Sequence, residues 1–306
     1  MDTQGLLIAG VGGNYDIALE DGRVVRAKAR GVFRKEKITP LIGDRVLVSE
    51  EGFITDIMER KNHMIRPACA NIDQALIVFA LKEPDPHFGV LDRFLAEAAR
   101  QDIPAIIVFN KTDLLKPSED EELLEAVETY RTCGYKVFLL QARMGREAED
   151  PLNQLSLLEQ ELGGKITVLA GPSGVGKSSL INALIDAGQE VGGLSEKIMR
   201  GKNTTRHARL LKMASEQGGW IADTPGFTSF YTQNIEAGEL DRIYPEFAPY
   251  LGTCYYPDCR HIKEPGCRVR LAVKKGIISR LRYRNYRLMY AELEAYRREH
   301  PLYEKK

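Results

Sequence analysis

A glycine-rich loop between an apolar strand and a helix constrains this chain more than any other feature of its sequence. The segment Gly171–Ser178 reads GPSGVGKS and matches the pattern G-x-x-x-x-G-K-[ST]; KITVLA precedes it, and SLINALIDA follows. Glycines let backbone N–H groups turn toward a phosphate without a Cβ clash, and the helix adds the dipole of its N-terminus. The pattern predicts a phosphate-binding loop in an α/β fold.

Two residues at the end of this loop have predicted chemical roles. Lys177 is expected to reach the β- and γ-phosphates, and the Ser178 hydroxyl is expected to ligate Mg²⁺. The predicted nucleotide contacts of the loop are Gly171, Pro172, Ser173, Gly174, Val175, Gly176, Lys177, Ser178 and Ser179.

A second motif, Asn110-Lys111-Thr112-Asp113, follows the apolar run AIIVF. A carboxylate at Asp113 can accept hydrogen bonds from N1–H and the amino group of guanine, whereas adenine would leave that carboxylate unpaired. Lys111 can lie over the base, and Asn110 either holds the loop or contacts the base. The motif predicts selection of guanine, and Gln141-Ala142-Arg143 is a weak match to a supporting base contact.

A third motif, Asp223-Thr-Pro-Gly226, follows the apolar strand WIA at 220–222. An aspartate at the end of such a strand can hold Mg²⁺, usually through water, and the glycine offers an N–H to the γ-phosphate. Between the phosphate loop and this motif, Thr204 and Thr205 are both candidates to reach Mg²⁺ and the γ-phosphate, and the spacing does not decide between them.

The residue after Gly226 is Phe227, at a position where many GTPases carry a glutamine that orients the attacking water. An apolar side chain cannot orient water by hydrogen bonding. We therefore expect slow intrinsic hydrolysis, with the missing group supplied by the loop around Thr204 or by a partner. His207 is a weak candidate for that group, and the alternative is a histidine that is merely solvated.

The order of the motifs is unusual for a GTPase, because the guanine motif precedes the phosphate loop and Asp223-Thr-Pro-Gly226 comes last. Each motif follows an apolar strand, and parallel sheets bind ligands at the carboxyl ends of their strands. The three motifs can therefore converge, and the order predicts a permuted chain in which the strand order in space is kept.

The rest of the chain divides into a β-rich start and an alternating α/β middle. Turn signals such as Asp21-Gly22 separate five short strands within the first 61 residues, which predicts a small OB-like barrel, with an SH3-like barrel as the alternative. From QALIVFA (74–80) onward, apolar runs alternate with helical segments, which predicts a mostly parallel sheet covered on both faces.

Three of the five cysteines cluster with a histidine as Cys254-x₄-Cys259-x-His261-x₅-Cys267. Three thiolates and one imidazole complete a tetrahedral zinc site with no open position, which indicates a structural ion. One alternative is a set of partly buried cysteines in the reduced state, and the other is a disulfide with the remaining thiols free. Cys69 and Cys133 are interpreted as packing residues.

The net charge of zero hides a strong segregation along the chain. Residues 62–259 hold 19 basic and 28 acidic residues, whereas 260–306 hold 14 basic and 5 acidic, and 23–37 hold seven basic and one acidic. The last 30 residues read as one long polar helix in which Arg280, Arg284 and Arg287 share a face beside a tyrosine face. Such basic zones favour a polyanionic partner such as RNA, with ordinary solvated faces as the alternative.

Taken together, these motifs resemble the circularly permuted ribosome small-subunit-dependent GTPase A family over nearly the whole chain. The resemblance rests on ARGVFRK (29–35), RPACANIDQ (66–74), NKTD, GPSGVGKSS, TTRH (204–207), DTPGF and the Cys/Cys/His/Cys set. It implies a multidomain fold with an OB-fold RNA-binding domain at 1–61, a circularly permuted P-loop α/β GTPase domain at 62–229, and a zinc-binding α-helical domain with a basic C-terminal helix at 230–306.

The resemblance also implies a function: binding to the 30S ribosomal subunit and 16S rRNA, stimulation of GTP hydrolysis by that subunit, and a role in its late maturation. One departure is Asn203, where a histidine often precedes the Thr-Thr pair. We expect one zinc ion and magnesium with GTP. We also expect a cytoplasmic protein, because no signal peptide or membrane-spanning run is evident, and a monomer, because no heptad repeat or exposed apolar stripe stands out. The alternative function is a GTP-dependent switch on another RNA, with hydrolysis of little importance.

Overall fold

The computed structural model describes residues 2–31, 33, 38–65, 68–116, 118, 120–143, 152–185, 208–223 and 235–300. Three of the regions named above fall outside these ranges. They contain Asn203, Thr204, Thr205 and His207, then Gly226 and Phe227, and finally the last six residues of the chain.

Five strands at the start of the chain close into a barrel. They are β1 (Thr3–Val11), β2 (Asn14–Leu19), β3 (Val24–Ala29), β4 (Arg45–Val48) and β5 (Phe53–Ile57). Neighbouring strands are antiparallel except β3 and β5, which are parallel, and β1 pairs with both β2 and β4 so that the sheet closes. This strand order is that of an OB barrel and confirms the predicted fold over the SH3-like alternative.

The barrel is followed by a short hairpin and a six-stranded sheet. The strands are β6 (His63–Ile65), β7 (Ala68–Ala70), β8 (Gln74–Ala80), β9 (Ala105–Asn110), β10 (Lys136–Leu140), β11 (Ile166–Ala170), β12 (Arg209–Lys212) and β13 (Trp220–Asp223). The sheet order is β10-β9-β8-β11-β13-β12, and only β12 runs antiparallel to its neighbour. Strand β12 also pairs with β1, so the barrel and the sheet are continuous.

Helices cover both faces of this sheet. They are α1 (Phe88–Arg100), α2 (Glu121–Thr132), α3 (Leu155–Leu162) and α4 (Lys177–Leu184). Along β8, Ile77 and Phe79 belong to the core beneath α1 and α2, whereas Leu76 and Val78 belong to the core beneath α3 and α4. All seven side chains of β8 are buried, as a continuous apolar run in a doubly covered parallel strand predicts.

The C-terminal part is built from short helical turns and one long helix. Its elements are a 3₁₀ turn at Ala237–Glu239, α5 (Leu240–Ile243), a 3₁₀ helix at Pro245–Tyr250, α6 (Arg268–Lys274) and α7 (Arg280–Glu299). The predicted long helix starts at Arg280 and not near Lys275, because Gly276 takes a left-handed φ of 74° after α6. Ser279 then caps α7, its hydroxyl accepting from the Leu281 N–H at 3.2 Å.

Within the described ranges, no helix has the length and apolar character that a membrane crossing requires.

Candidate nucleotide site and metal centre

The phosphate loop, the guanine motif and Asp223 all lie at the carboxyl edge of the sheet. The loop follows β11, Asn110 ends β9, and Asp223 ends β13, with β8 between the first two strands. Carboxyl ends of parallel strands meet at one edge, which is where open α/β sheets bind ligands. The structure therefore brings together the described parts of the three motifs despite their permuted order.

Two glycines of the phosphate loop occupy places that no larger residue can take. Gly171 has φ 141°, and a Cβ there would lie 2.1 Å from the Val78 carbonyl oxygen. Gly176 has φ 94°, and its Cβ would lie 2.2 Å from Nδ2 of Asn110. The glycines of the motif are thus required by the contact of the loop with β8 and β9, as well as by a phosphate.

Asn110 ties the guanine motif to the phosphate loop. Its side chain is 2% exposed, Nδ2 donates to the Val175 carbonyl oxygen at 2.9 Å, and Oδ1 accepts from the Ala142 N–H at 3.0 Å. Of the two roles expected for Asn110, the structure favours holding loops over contacting a base. It also brings Gln141-Ala142-Arg143, which matched a supporting base contact only weakly, beside the guanine motif.

The remaining residues of the guanine motif divide into buried and exposed groups. Thr112 is buried, and its hydroxyl donates to the Leu140 carbonyl oxygen at 3.2 Å, which anchors the motif to β10. Lys111 has a left-handed φ of 64°, and its ammonium donates to the Glu83 carbonyl oxygen. The Asp113 side chain is exposed, so its carboxylate is accessible to a ligand.

Lys177 and Ser178 are the residues of the loop that were predicted to contact the phosphates and magnesium. The Lys177 ammonium donates to the carbonyl oxygens of Gly171 and Pro172, at 2.7 and 2.5 Å, and burial lowers the pKa of this lysine. An ammonium held by carbonyl oxygens within a phosphate loop suits a polyphosphate, which would offer it stronger charged acceptors. Ser178 is exposed at the start of α4, so its hydroxyl is accessible to a magnesium ion.

Asp223 has a partner that the sequence did not suggest. Arg209 lies opposite it in the β12–β13 pair and donates to Oδ2 from Nη2 at 3.1 Å and from Nε at 3.3 Å. Both side chains remain partly exposed. The predicted partners of Asp223 in hydrolysis, Thr204, Thr205, His207 and Gly226, belong to the ranges that the structure does not describe.

The four predicted zinc ligands form one cluster. Their ligand atoms all lie within 4.8 Å of one another, with Nδ1 of His261 at 3.4 Å from Sγ of Cys267 and 3.7 Å from Sγ of Cys254. Bond lengths of about 2.0–2.3 Å to a tetrahedral zinc place ligand atoms about 3.5–3.8 Å apart, so the cluster fits such an ion. The 4.0 Å between Sγ of Cys254 and Sγ of Cys267 excludes the disulfide alternative for that pair, and all five cysteines are free.

Groups around the cluster support thiolate and imidazole ligands. The backbone N–H of Arg268 donates to Sγ of Cys254 and that of Arg270 to Sγ of Cys267. Burial acts to raise the pKa of Cys254, but hydrogen bonds from the Arg268 N–H and from Cys259, with the charge of His261, together outweigh it and the net pKa is lowered; burial raises the pKa of Cys259 to about 12. Bound zinc deprotonates coordinating thiols outright.

Asp241 is a member of this site that the sequence did not single out. His261 is 2% exposed and turns Nδ1 toward the thiols, while its Nε2 lies 3.4 Å from Oδ2 of Asp241. A carboxylate on the second ring nitrogen is the usual way to orient a metal-binding histidine. Asp241 precedes the first cysteine on a separate helix, so no ligand spacing pointed to it.

The basic C-terminal helix is only partly a free cationic surface. Arg280, Arg284 and Arg287 are exposed, as the shared face predicted. Arg282 is 1% exposed and binds Asp92 and Glu246, so it is a buried contact between α7 and α1 and is not available to a polyanion. The tyrosine face of the helix packs on the loop that carries the Cys/His cluster: the Tyr286 hydroxyl donates to the Arg260 carbonyl oxygen at 2.7 Å.

Two family models match this chain. Residues 57–233 match the model described as RsgA GTPase, and residues 4–53 match the model described as RsgA N-terminal domain. Two proteins described as small ribosomal subunit biogenesis GTPase RsgA are similar to it. The protein from Agathobacter rectalis is 42% identical, over 95% of this chain and 98% of its own length. The protein from Geobacillus kaustophilus is 44% identical, also over 95% of this chain and 98% of its own length.

Two solved structures share the fold. YloQ, described as a circularly permuted GTPase, is 34% identical with a TM-score of 0.77, over 96% of both chains. YjeQ from Thermotoga maritima is 33% identical with a TM-score of 0.80, over 96% of this chain and 99% of its own. The predicted fold class, an OB-like barrel with a circularly permuted GTPase domain and a C-terminal part with a Cys/His cluster, is confirmed.

Proposed function

The chain belongs to the RsgA GTPase family and is a GTP-hydrolysing enzyme, and from that premise we propose that it binds the small ribosomal subunit, the 30S particle, and acts in its late maturation. Hydrolysis of GTP to GDP and phosphate is stimulated by the subunit. The proteins similar to this chain are described as GTPases of small ribosomal subunit biogenesis, and that role in ribosome biogenesis is assigned to this chain as well. The enzyme acts as a cytoplasmic monomer.

The observation that carries the proposal is the meeting of the phosphate loop, the guanine motif and Asp223 at one edge of the sheet. Gly171–Ser179 hold the phosphates by backbone N–H groups, with Lys177 on the β- and γ-phosphates. Ser178, Thr204 and Asp223, the last through water, would hold a magnesium ion, and the chemistry that this ion would supply is neutralisation of negative charge on the phosphates.

Guanine selection depends on Asp113, whose exposed carboxylate accepts from N1–H and the amino group of the base. Lys111 lies over the base, and Thr112 fixes the motif on β10. Asn110 contributes by holding the phosphate loop and the 141–143 segment in place around the nucleotide. Base selection and phosphate binding are therefore coupled through one buried amide.

The group that orients the attacking water comes from outside the motifs at the edge of the sheet. Phe227 cannot orient water, and Asn203 stands where family members often have histidine. The subunit supplies or positions the missing group, with His207 as the nearest candidate within this chain. This arrangement keeps intrinsic hydrolysis slow until the subunit is bound.

Two cationic surfaces contact 16S rRNA in this proposal. One is the exposed arginine face of α7, with Arg280, Arg284 and Arg287, and the other is the barrel region 23–37, where Lys28 and Arg30 are exposed. Arginine and lysine bind phosphates and release counterions, so binding weakens as salt rises. A structural zinc ion on Cys254, Cys259, His261 and Cys267 fixes the loop on which α7 packs.

Steady-state GTP hydrolysis with and without purified 30S subunits tests this function. We expect strong stimulation by 30S subunits and little by 50S subunits. Equal rates in the presence and absence of 30S subunits would contradict stimulation and favour the alternative, a GTP-dependent RNA-binding switch. Co-sedimentation with 30S subunits in a non-hydrolysable GTP analogue, but not in GDP, is the matching binding result.

A further inference from the structure

Tyr255, in the loop between the first two zinc ligands, is the most exposed large hydrophobic side chain in the described ranges. It is 78% exposed, and its ring stands edge to face against Tyr256 at 5.0 Å between centroids. Other aromatic side chains of this domain behave differently: Tyr244, Phe247 and Tyr286 are 0–1% exposed and form its core. The Tyr255 ring therefore makes no contribution to the core that would explain its presence.

The backbone at Tyr255 is fixed by contacts with the Cys/His cluster and its neighbours. Tyr255 is flanked by Cys254, and Sγ of Cys254 accepts from the Arg268 N–H at 3.3 Å. The Cβ of Tyr255 lies against Gly266, where an added Cβ would come within 2.8 Å of it. The ring is thus fixed at its base and open on its outer side, so little conformational entropy is lost when a ligand binds it.

Exposed cations lie in the segment that packs against Tyr255, whose Cβ faces Gly266 and whose neighbour Cys254 accepts from the Arg268 N–H. Lys263 is exposed in the turn between His261 and Cys267, and Arg268 and Arg270 are exposed on the first turn of α6. Glu264 is turned inward, because its carboxylate accepts from the backbone N–H groups of Arg260, Ile262 and Lys263. The exposed carboxylate on this loop is that of Asp258, and the three cations outnumber it.

We propose that Tyr255 is a stacking platform for an unpaired RNA base, with Arg268 and Lys263 binding the phosphates on either side. A fixed, exposed aromatic ring among cations is the combination by which proteins bind single-stranded nucleic acid. A protein partner would instead favour an apolar surface around the ring, whereas this one is charged. The inference rests on the proposed function, because the RNA that Tyr255 would bind belongs to the small ribosomal subunit.

The test compares three variants of Tyr255 in binding to 30S subunits with a non-hydrolysable GTP analogue. Tyr255→Phe keeps the ring and should bind within about two-fold of the wild type. Tyr255→Ala and Tyr255→Leu should bind about five- to one-hundred-fold more weakly, the range found when a base loses a stacked aromatic. Because the ring is exposed, the melting temperature and zinc content of all three should equal those of the wild type.

Salt dependence separates stacking from charge. Tyr255→Ala should leave the slope of log affinity against log salt unchanged, whereas Arg268→Ala should reduce its magnitude by about 1. Dimethyl sulfate probing of 16S rRNA should show a base that the wild type and Tyr255→Phe protect and Tyr255→Ala does not. Such a site would identify the partner as RNA.

Several results would overturn the inference. Wild-type affinity in Tyr255→Ala and Tyr255→Leu shows that the ring does not bind the subunit. Wild-type affinity in Tyr255→Leu alone, with no change in base protection, indicates an apolar protein contact. Failure of the wild type itself to bind 30S subunits contradicts the proposed function, and the inference with it.

Discussion

Arg209 lies directly opposite Asp223 in the β12–β13 pair, and its guanidinium donates to the Asp223 carboxylate at 3.1 Å. The same arginine pairs through its backbone with Ala9 of β1, so it stands where the barrel joins the nucleotide-binding sheet. Asp223 is the carboxylate that we assign to magnesium. A cation on Oδ2 of this carboxylate competes with the hydrated metal for the same side chain.

Removing that competition should strengthen magnesium binding. In Arg209→Gln, the magnesium concentration for half-maximal binding of a fluorescent GTP analogue should fall by up to about five-fold, because partly exposed ion pairs contribute about 0–1 kcal/mol. Lys212→Gln, an exposed cation on the same strand, is the control and should change nothing. An unchanged or raised magnesium requirement in Arg209→Gln would show that the pair does not oppose the metal.

Substitutions of Asn110 and of Asp113 should change nucleotide binding in different ways. Asn110→Ala leaves the Val175 carbonyl and the Ala142 N–H without their partner, so GTP and GDP affinities should fall together by about ten-fold, with guanine still preferred over adenine. Asp113→Asn should instead shift preference toward xanthosine nucleotides, because the new amide matches a carbonyl at C2.

Calorimetric titration with GTP, ATP and xanthosine triphosphate measures both effects. Unchanged GTP affinity in Asp113→Asn would refute the base-reading role. A loss of guanine preference in Asn110→Ala would mean that this amide contacts the base and does not act through the loops.

Asp241 should strengthen metal binding without being a ligand. Asp241→Asn removes the carboxylate 3.4 Å from Nε2 of His261 and should weaken zinc affinity about 10–100-fold in competition with a chromogenic chelator. Glu239→Gln, at the exposed end of the preceding turn, should bind zinc as the wild type does. The wild type should carry about one zinc per chain under reducing conditions; less than about half an equivalent counts against the site.

Arg282 should be far more important for stability than its neighbours on α7. Arg282→Met leaves Asp92 and Glu246 buried without their cation, and the free energy of unfolding should fall by about 3–5 kcal/mol. Arg284→Met, on the exposed face of the same helix, should change it by less than about 0.5 kcal/mol. Urea denaturation measures both, and equal effects would contradict the role of Arg282 as a buried contact.

The strands, turns and ligand set that depend on neighbouring residues were predicted well from the sequence. The apolar run 74–80 coincides with β8, the five strands expected within the first 61 residues form the barrel, and the Cys/His set forms one cluster. Alternation, turn residues and ligand spacing are properties of neighbouring residues, so a single chain displays them. The phosphate loop was recognised for the same reason.

The contacts that the sequence did not indicate all join different structural elements. Arg282 reads as one more cation of a basic helix, and only docking of α7 on α1 makes it a buried partner of Asp92, 190 residues away. Arg209 and Asp241 likewise acquire their roles from strand pairing and helix packing. No periodicity marks such residues, because their partners lie on other elements.

The central claim is that the small subunit stimulates this GTPase. The most direct measurement is the GTP turnover rate of the wild type with increasing 30S subunits, with Lys177→Ala as the inactive control. We expect a rate that rises steeply and saturates with 30S subunits, while 50S subunits have little effect. A rate independent of 30S concentration, in a protein that binds GTP, would contradict it.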